Sequence, residues 1–506
     1  MKFTALFLTF FTFFSLQAQW QLKESEPFPL QFDNNRILAT HTQANGNTIA
    51  IRQADQFFII DFLDPELQPL YSLNIPVSQN EYYLENVITD TGIKIFTVSS
   101  PERKSYEVHC FELSHGSRQY HKRTLFKITG DPRKNPFLFE GKSNYNIAIS
   151  PDKHSIAFSE TQEQKDLHYC RIYVYDLETL EPVYKNTYQV DPGKYYEQND
   201  LIIDNERNVY SLGKQFADRK AQKKNQYHYV LNQINRDVAE TLVLKLPNYQ
   251  IRSLRISPLD DQFLLMGFYT KPDGKGIKGA CHLSIDPREM TIKKAQHHPF
   301  PAEVFRDLYG PDAAYHNKNE LFDYEIDHIL TDDLGNTYIT AEEVVQIVYA
   351  SMAPMPMASP IPVAPSVSLS FNAGFYRGNN SSVKYGNILA LKFDPAGDLI
   401  WGHTLLKNKT GPSYKAFLQD QKLHIILNTD KKLKETNDGR VTLKAGWFAS
   451  TALFDIVYNE DGNSDFNLIR ENSANNIFHP YSGVYSHDSF FMIGESLDAM
   501  RYMLLY

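Results

Sequence analysis

Three methionines in one charge-free run, Met352, Met355 and Met357, are the residues whose type and spacing come nearest to a metal site. Their thioethers are soft donors suited to Cu(I), although Met also serves as a flexible apolar filler. The surrounding segment, Ser351 to Phe375, holds five prolines and no charged residue. Such a stretch favours an extended, polyproline-like path and offers apolar contact to a partner, with Phe371 and Phe375 near its end. A second chemistry is electrostatic. Gly213 to Gln226 carries Lys214, Arg219, Lys220, Lys223 and Lys224, and Asn428 to Ser450 carries Lys431, Lys432, Lys434, Arg440 and Lys444. On a chain of net charge −9 these are two basic islands. They read either as solvated loop charge or as attractors for a polyanionic glycan or an acidic protein.

Other constellations fall short. No GxSxG nucleophile elbow and no HExxH helix occurs. The run from Glu140 to Asn144 resembles the end of a phosphate-binding loop, but Pro136 stands where the earlier glycine is required. Asp461 to Asp465 alternates oxygen side chains, yet Phe466 occupies the place a calcium loop reserves for glycine. His297 and His298 are adjacent on an extended run and point to opposite faces. Cys110, Cys170 and Cys281 are odd in number and far apart, which fits buried thiols rather than a disulfide framework. No catalytic residue, metal site or cofactor is assigned from these patterns.

The elements that must carry these residues recur. His328 to Thr340 reads as a short apolar run, an Asp/Gly/Asn turn and an alternating run. Looser copies lie at 39–52, 87–98, 147–158, 201–212 and 255–268, with weaker ones near Asp420 and Asp488. Each joins an inner strand A to a strand B. A second turn type joins strands C and D, best seen at Asp394 to Asp398 and again at Asp64, Ser114, Asp176, Asn235, Asp286 and Asn459. Asp and Asn fold back on the backbone, while Gly takes the positive φ such turns need. Pairing the turns gives seven four-stranded units beginning near Arg36, Tyr83, Tyr145, Asp200, Leu254, His328 and Tyr414. An eighth unit from Tyr481 lacks its outer strand.

The expected fold is therefore all-β, a single closed propeller of eight four-stranded blades. The segment Trp20 to Leu30 is expected to supply the missing strand, which removes an exposed edge. Seven blades remain the alternative if the units near Tyr414 or Tyr481 pair differently. The 31 Tyr and 33 Phe suit packing between large twisted sheets. The B–C loops are the long ones, and the longest spans about 342–384 in blade six. One helical pattern, Glu303 to Asn319, is expected as a short helix or a loop between blades five and six.

On these residues the chain resembles exported bacterial propellers, the SBBP and NHL-like repeat proteins. The likeness is specific over His328 to Thr340 and Asn387 to Leu406, fair over blades three to five, and a pattern elsewhere. It implies a propeller fold and binding roles outside the cytoplasm rather than one chemistry. The aromatic-rich leader ending in Ala18-Gln19 is similar to those of exported Bacteroidota proteins.

Residues 1–18 read as a signal peptide: Lys2, an apolar run from Phe3 to Phe14, then Ala18 before the cut. The run is too short for the roughly 20 residues a membrane span needs, and no cysteine offers a lipid site. Residues 19–506 are then the propeller domain. The expectation is an exported, non-lipidated protein, periplasmic or extracellular, without a transmembrane segment. The acidic balance argues against nucleic acid. The expected role is a monomeric, non-enzymatic binding or scaffold protein whose loop-rich face meets an envelope protein or an anionic glycan. The alternative is an enzyme acting on a glycan or small molecule at the central channel.

Overall fold

The computed structural model describes residues 20–506 apart from 30–35, 101–104, 115–117, 130–145, 165–166, 260–261, 312–318, 349–380, 409–413, 445–450, 474–475 and 497–498, and the single positions 44, 55, 79, 90, 192 and 273. The leader and its cut lie outside the described residues. Several of the strand turns begin with the same local chemistry. In the A–B turn of blade six, the Asp332 carboxylate accepts the N–H groups of Leu334 and Asn336 at 3.0 and 2.8 Å and the Asn336 side chain at 2.8 Å. Gly335 takes φ +83° there. Blade four repeats the device with Asp204 and Asn208, and Arg207 accepts φ +70° where blade six has glycine. The C–D turns use Asp64, Asp176, Asp286, Asp394 and Asn459 in the same way. Short polar side chains that bond nearby N–H groups pin the strand register.

The described strands form eight sheets. Blade one is Arg36–Thr42, Thr48–Ala54, Phe57–Leu63 and Pro69–Pro76, and the next blades follow in the same A-to-D order. Blade six is Tyr324–Thr331, Thr337–Val348, Ser381–Phe393 and Leu399–Asn408. Its B and C arms are longer than the sequence implies. The alternating residues after Glu342 continue the ladder, so the connecting segment is 349–380 rather than 342–384. Blade eight is completed from the other terminus: Leu22–Glu24 pairs antiparallel with Ala499–Leu505, Leu22 opposite Leu505 and Glu24 opposite Met503. The outer-strand expectation and the count of eight both hold.

The core is distributed rather than central. Each junction between blades has its own buried cluster, because alternate residues of every strand face the preceding or the following blade. Phe96, Phe158 and Tyr175 fill the junction of blades two and three, and Phe417, Phe478 and Phe490 that of blades seven and eight. The ring is continuous across its seam, where Ile37, Leu63, Phe491 and Tyr502 pack together. Cys110, Cys170 and Cys281 are buried, and burial pushes the Cys170 thiol up to about 12.

Three features differ from the sequence reading. The blade-seven B–C segment contains two strands, Lys434–Glu435 and Val441–Lys444. The second pairs in parallel with the end of blade six, Leu406 opposite Thr442. The inner strand of blade eight is split: Ile477–Phe478 and Val484–Ser486 flank a single 3₁₀ turn at Pro480–Ser482. A five-residue helix α1 (Arg219–Lys223) sits in the blade-four B–C segment, capped by Asp218 accepting from the Ala221 N–H at 2.6 Å. The helix expected between blades five and six is present as α2 (Ala302–Tyr309) and is shorter than the pattern.

Candidate functional site

The face carrying the B–C and D–A connections is where the predicted contact residues belong. Met352, Met355, Met357, Phe371 and Phe375 lie outside the described residues. Arg219, Lys220, Lys223 and Lys224 stand on or just after α1, all exposed. None of the four makes an ion pair among the described residues. The second basic island is organised differently. Lys431 pairs with Glu471 at 2.8 Å, and Arg440 pairs with Asp438 and donates to the carbonyls of Asp307 and Leu308 at the end of α2. Lys432 is exposed. Lys431 thus pairs within blade seven while Arg440 fastens the hairpin to α2, and this segment does not form one surface with α1, which is three blades away.

Beside α1 the junction of blades four and five opens into a cleft of ≈530 Å³. Ala217 and Gln226, the residues flanking the helix, both line it, so α1 forms its rim. The floor and walls include Tyr227, His228, Tyr229, Lys245, Tyr249 and Gln250. Tyr249 is placed by a tight reversal between the two blades: Leu246 and Tyr249 form an isolated bridge, and Asn248 takes φ +64°. Asn tolerates that left-handed region better than most side chains. Tyr249 then packs against Tyr269 and His297, with ring centroids 4.7 and 4.5 Å away. Tyr227 is fixed by its hydroxyl, which donates to the Arg252 carbonyl at 2.9 Å, and by Lys214 Nζ lying 4.6 Å from its ring centroid. Burial, then Lys194 and Lys245, holds the His228 imidazole below its ordinary pKa, which favours the neutral ring. The side chains of Gln226, Lys245, Gln250 and the hydroxyl of Tyr249 have no hydrogen-bond partner among the described residues.

The inner strands of the blades surround the central channel. Five inner strands carry a β-bulge, the extra residue being Leu38, Leu84, Asn199, Arg252 or Asp327. Bulges re-aim side chains and often sit near working surfaces. A recess of ≈350 Å³ between blades five and six is lined by Arg255, Asp327 and His328. Most of these groups are engaged in holding blades together. Asp200 of blade four accepts from Arg255 Nε at 2.8 Å and from the Ile256 N–H at 3.1 Å. Asp327 accepts from the Tyr414 hydroxyl of blade seven at 2.7 Å, and His328 Nδ1 is 2.9 Å from Thr340 Oγ1. Closer to the loop-rich face, Glu197, Arg252 and Glu325 of three successive inner strands all act on Lys214, whose pKa burial lowers. No group of three potential metal ligands occurs among the described residues. The Asp461–Asp465 run is a C–D turn in which Asn459 Oδ1 accepts the Asp461 and Asn463 N–H groups, both at 3.0 Å.

Sequence reasoning found the cations of α1 but not the cleft they border. The available signal was Tyr227-His228-Tyr229 directly after a basic loop. What it lacked was Tyr249 and Gln250, which only the closure of blade five against blade four brings alongside.

No family model and no curated protein matches the chain. Solved propellers are similar in shape. The Dos1 propeller is 9% identical with a TM-score of 0.43, over 95% of this chain and 94% of that one. The WD40 domain of SCAP from fission yeast is 8% identical with a TM-score of 0.41, over 96% and 98%. Prolyl oligopeptidase B from Galerina marginata is 8% identical with a TM-score of 0.42, over 91% of this chain, which spans 55% of that enzyme. No function passes from these proteins to this one.

Proposed function

We propose that this protein is an exported, non-enzymatic binding protein that holds an anionic partner on its loop-rich face. The leader-like residues 1–18 support export. The observation that carries the binding reading is the rim of α1: four cations with no ion pair among the described residues, beside an open cleft, on a chain of net charge −9. A local positive rim on an acidic molecule steers anionic partners to one place and repels them elsewhere. Its exposed charges are screened over roughly 8–10 Å at ordinary ionic strength, so capture should weaken with salt. The test is recovery of partners from a native envelope extract by the wild type and by Lys220→Glu/Lys223→Glu. Loss of anionic partners with the variant supports the reading; equal recovery overturns it. Intact mass of the mature protein beginning at Gln19 tests export.

One observation favours a second reading. Glu197 and Glu325 flank Arg252 and Lys214 at the channel, a mixture of carboxylates and cations that acid–base chemistry on a small molecule could use. Turnover of a glycan or ester panel that disappears in Glu197→Gln or Glu325→Gln would establish it.

A further inference from the structure

We propose that the cleft between blades four and five is a subsite for an acidic oligosaccharide, such as a run of uronate or sulfated sugars. This rests on the reading of α1 as an anion-attracting rim and names the ligand that the rim serves. Labour is divided within the site. Charge stands on the lip, at Lys220, Lys223 and Lys224, while Lys245 lies at the cleft wall. The lining is aromatic and amide, with Tyr227, Tyr249, Gln226 and Gln250.

A ligand matching that division has an apolar-faced body rich in hydroxyl groups, and its charge at the periphery. Sugar rings meet the first requirement. Their C–H faces lie on aromatic rings, and their hydroxyls both donate to and accept from carboxamides, which offer one acceptor oxygen and two N–H donors each. Carboxylate or sulfate substituents meet the second. The unpartnered Gln226 and Gln250 carboxamides, the Tyr249 hydroxyl and the Lys245 ammonium supply these bonds without first breaking others, so their pairing with a ligand leaves no buried group unsatisfied. The neutral His228 ring, whose Nε2 meets Gln215 Oε1 at 3.1 Å, leaves Nδ1 as an acceptor at the wall.

Other anionic ligands fit less well. A free phosphate or phosphorylated group would be met by an Arg fork or by convergent backbone N–H groups on the floor, and the floor has neither. An acidic folded protein needs roughly 800 Å² of each partner's surface around an apolar centre. Here the aromatic surface is concave and is confined to ≈530 Å³, which lies within the roughly 300–1,000 Å³ typical of small-molecule sites.

Isothermal titration with hexameric oligogalacturonate, hexameric oligoguluronate and a heparin-derived hexasaccharide separates the claims, with hexaglutamate as the acidic peptide control. At least one saccharide should bind saturably, and hexaglutamate should bind more than tenfold more weakly. Gln250→Ala and Tyr249→Ala should each weaken that saccharide about tenfold at unchanged thermal stability and leave the salt dependence intact. Lys220→Glu/Lys223→Glu should weaken it similarly and flatten the salt dependence. If hexaglutamate binds as well as the saccharides, or the floor variants bind normally while the rim variant does not, the sugar assignment is wrong and the anionic rim stands. If neither set of variants alters the binding of any of these probes, or none binds, both fail.

Discussion

Asp61 gathers the seam of the ring into one carboxylate. It accepts from Arg52 Nε at 2.6 Å, from Ser72 Oγ at 2.5 Å and, across the junction with blade eight, from the Tyr502 hydroxyl at 2.5 Å. Arg52 and Asp61 are nearly inaccessible to solvent, so Asp61→Asn strands a buried guanidinium and should cost about 3–5 kcal/mol. Tyr502→Phe should cost about 1–2 kcal/mol. Urea unfolding of the two variants measures both, and equal losses would contradict the charge argument. Two neighbours in blade eight set opposed pH responses. Burial pushes Glu495 up to about 7, with Arg52 pulling against it, and burial pushes His479 down to about 4. Relative to unfolded values of roughly 4.3 and 6.5, the folded chain binds Glu495's proton more tightly. That contribution to stability is present in acid and is lost as pH climbs through 7. For His479 the folded chain binds the proton less, so its contribution grows between pH 4 and 6.5. Glu495→Gln should therefore unmask a rise in the urea midpoint from pH 4 to 6.5 with no decline above it; a profile like that of the wild type would show that Glu495 is not the acid concerned. None of these pairs was legible in the sequence. Asp61 and Tyr502 are 441 positions apart, and no local pattern marks an Asp that will meet a Tyr of another blade.

Elements were legible where their signal was local. The turns opened by Asp64, Asp332, Asp394 and Asn459 announce themselves because one short side chain both chooses the turn and caps it. The hairpin at 434–444 did not. Its strands are short, rich in Lys and Thr, and gain a partner only when blade six offers Leu406 to Asn408. Helix α1 was hidden for a similar reason: five residues without a buried face carry no period. The hairpin has a job that can be measured. Through Arg440 Nη1 it donates to the Asp307 and Leu308 carbonyls at 3.1 and 2.8 Å, serving the C-terminal end of α2, where unpaired carbonyls and the helix dipole favour a cation. Arg440→Ala should cost about 2 kcal/mol and raise amide exchange in 302–310 selectively. Uniform exchange across α2 and the blades would mean that the hairpin is passive. Deleting 351–375, which supplies none of the described strands, should leave the unfolding midpoint within about 0.5 kcal/mol. A larger loss would give the segment a structural role.

At the scale of the whole molecule, eight blades and their closure were readable because the repeat counts itself and its last copy is one strand short. The cleft between blades four and five was not, since it belongs to neither blade alone. Closure rests on more than the three-residue ladder. The Trp20 indole donates to Asp455 Oδ2 at 2.7 Å and packs near Phe417 and His424, while Glu24 pairs with Arg470 and Arg501. The first strand thus ties blade eight to blade seven as well as completing it. Removing residues 20–29 should open the seam, increase the radius of gyration in solution scattering and expose 484–505 to proteolysis; a compact, resistant ring would mean that blade eight is sufficient by itself. The same seam dictates an order of events. Ser25 bonds Tyr502 across 477 positions, so the strand at 22–24 waits for the one at 499–505, made long after it. Bringing such distant ends together costs on the order of 5 kcal/mol in chain entropy, recovered only at the final step. Until then seven blades can form as an open arc, and the ring cannot close while residues 499–505 are still to be made.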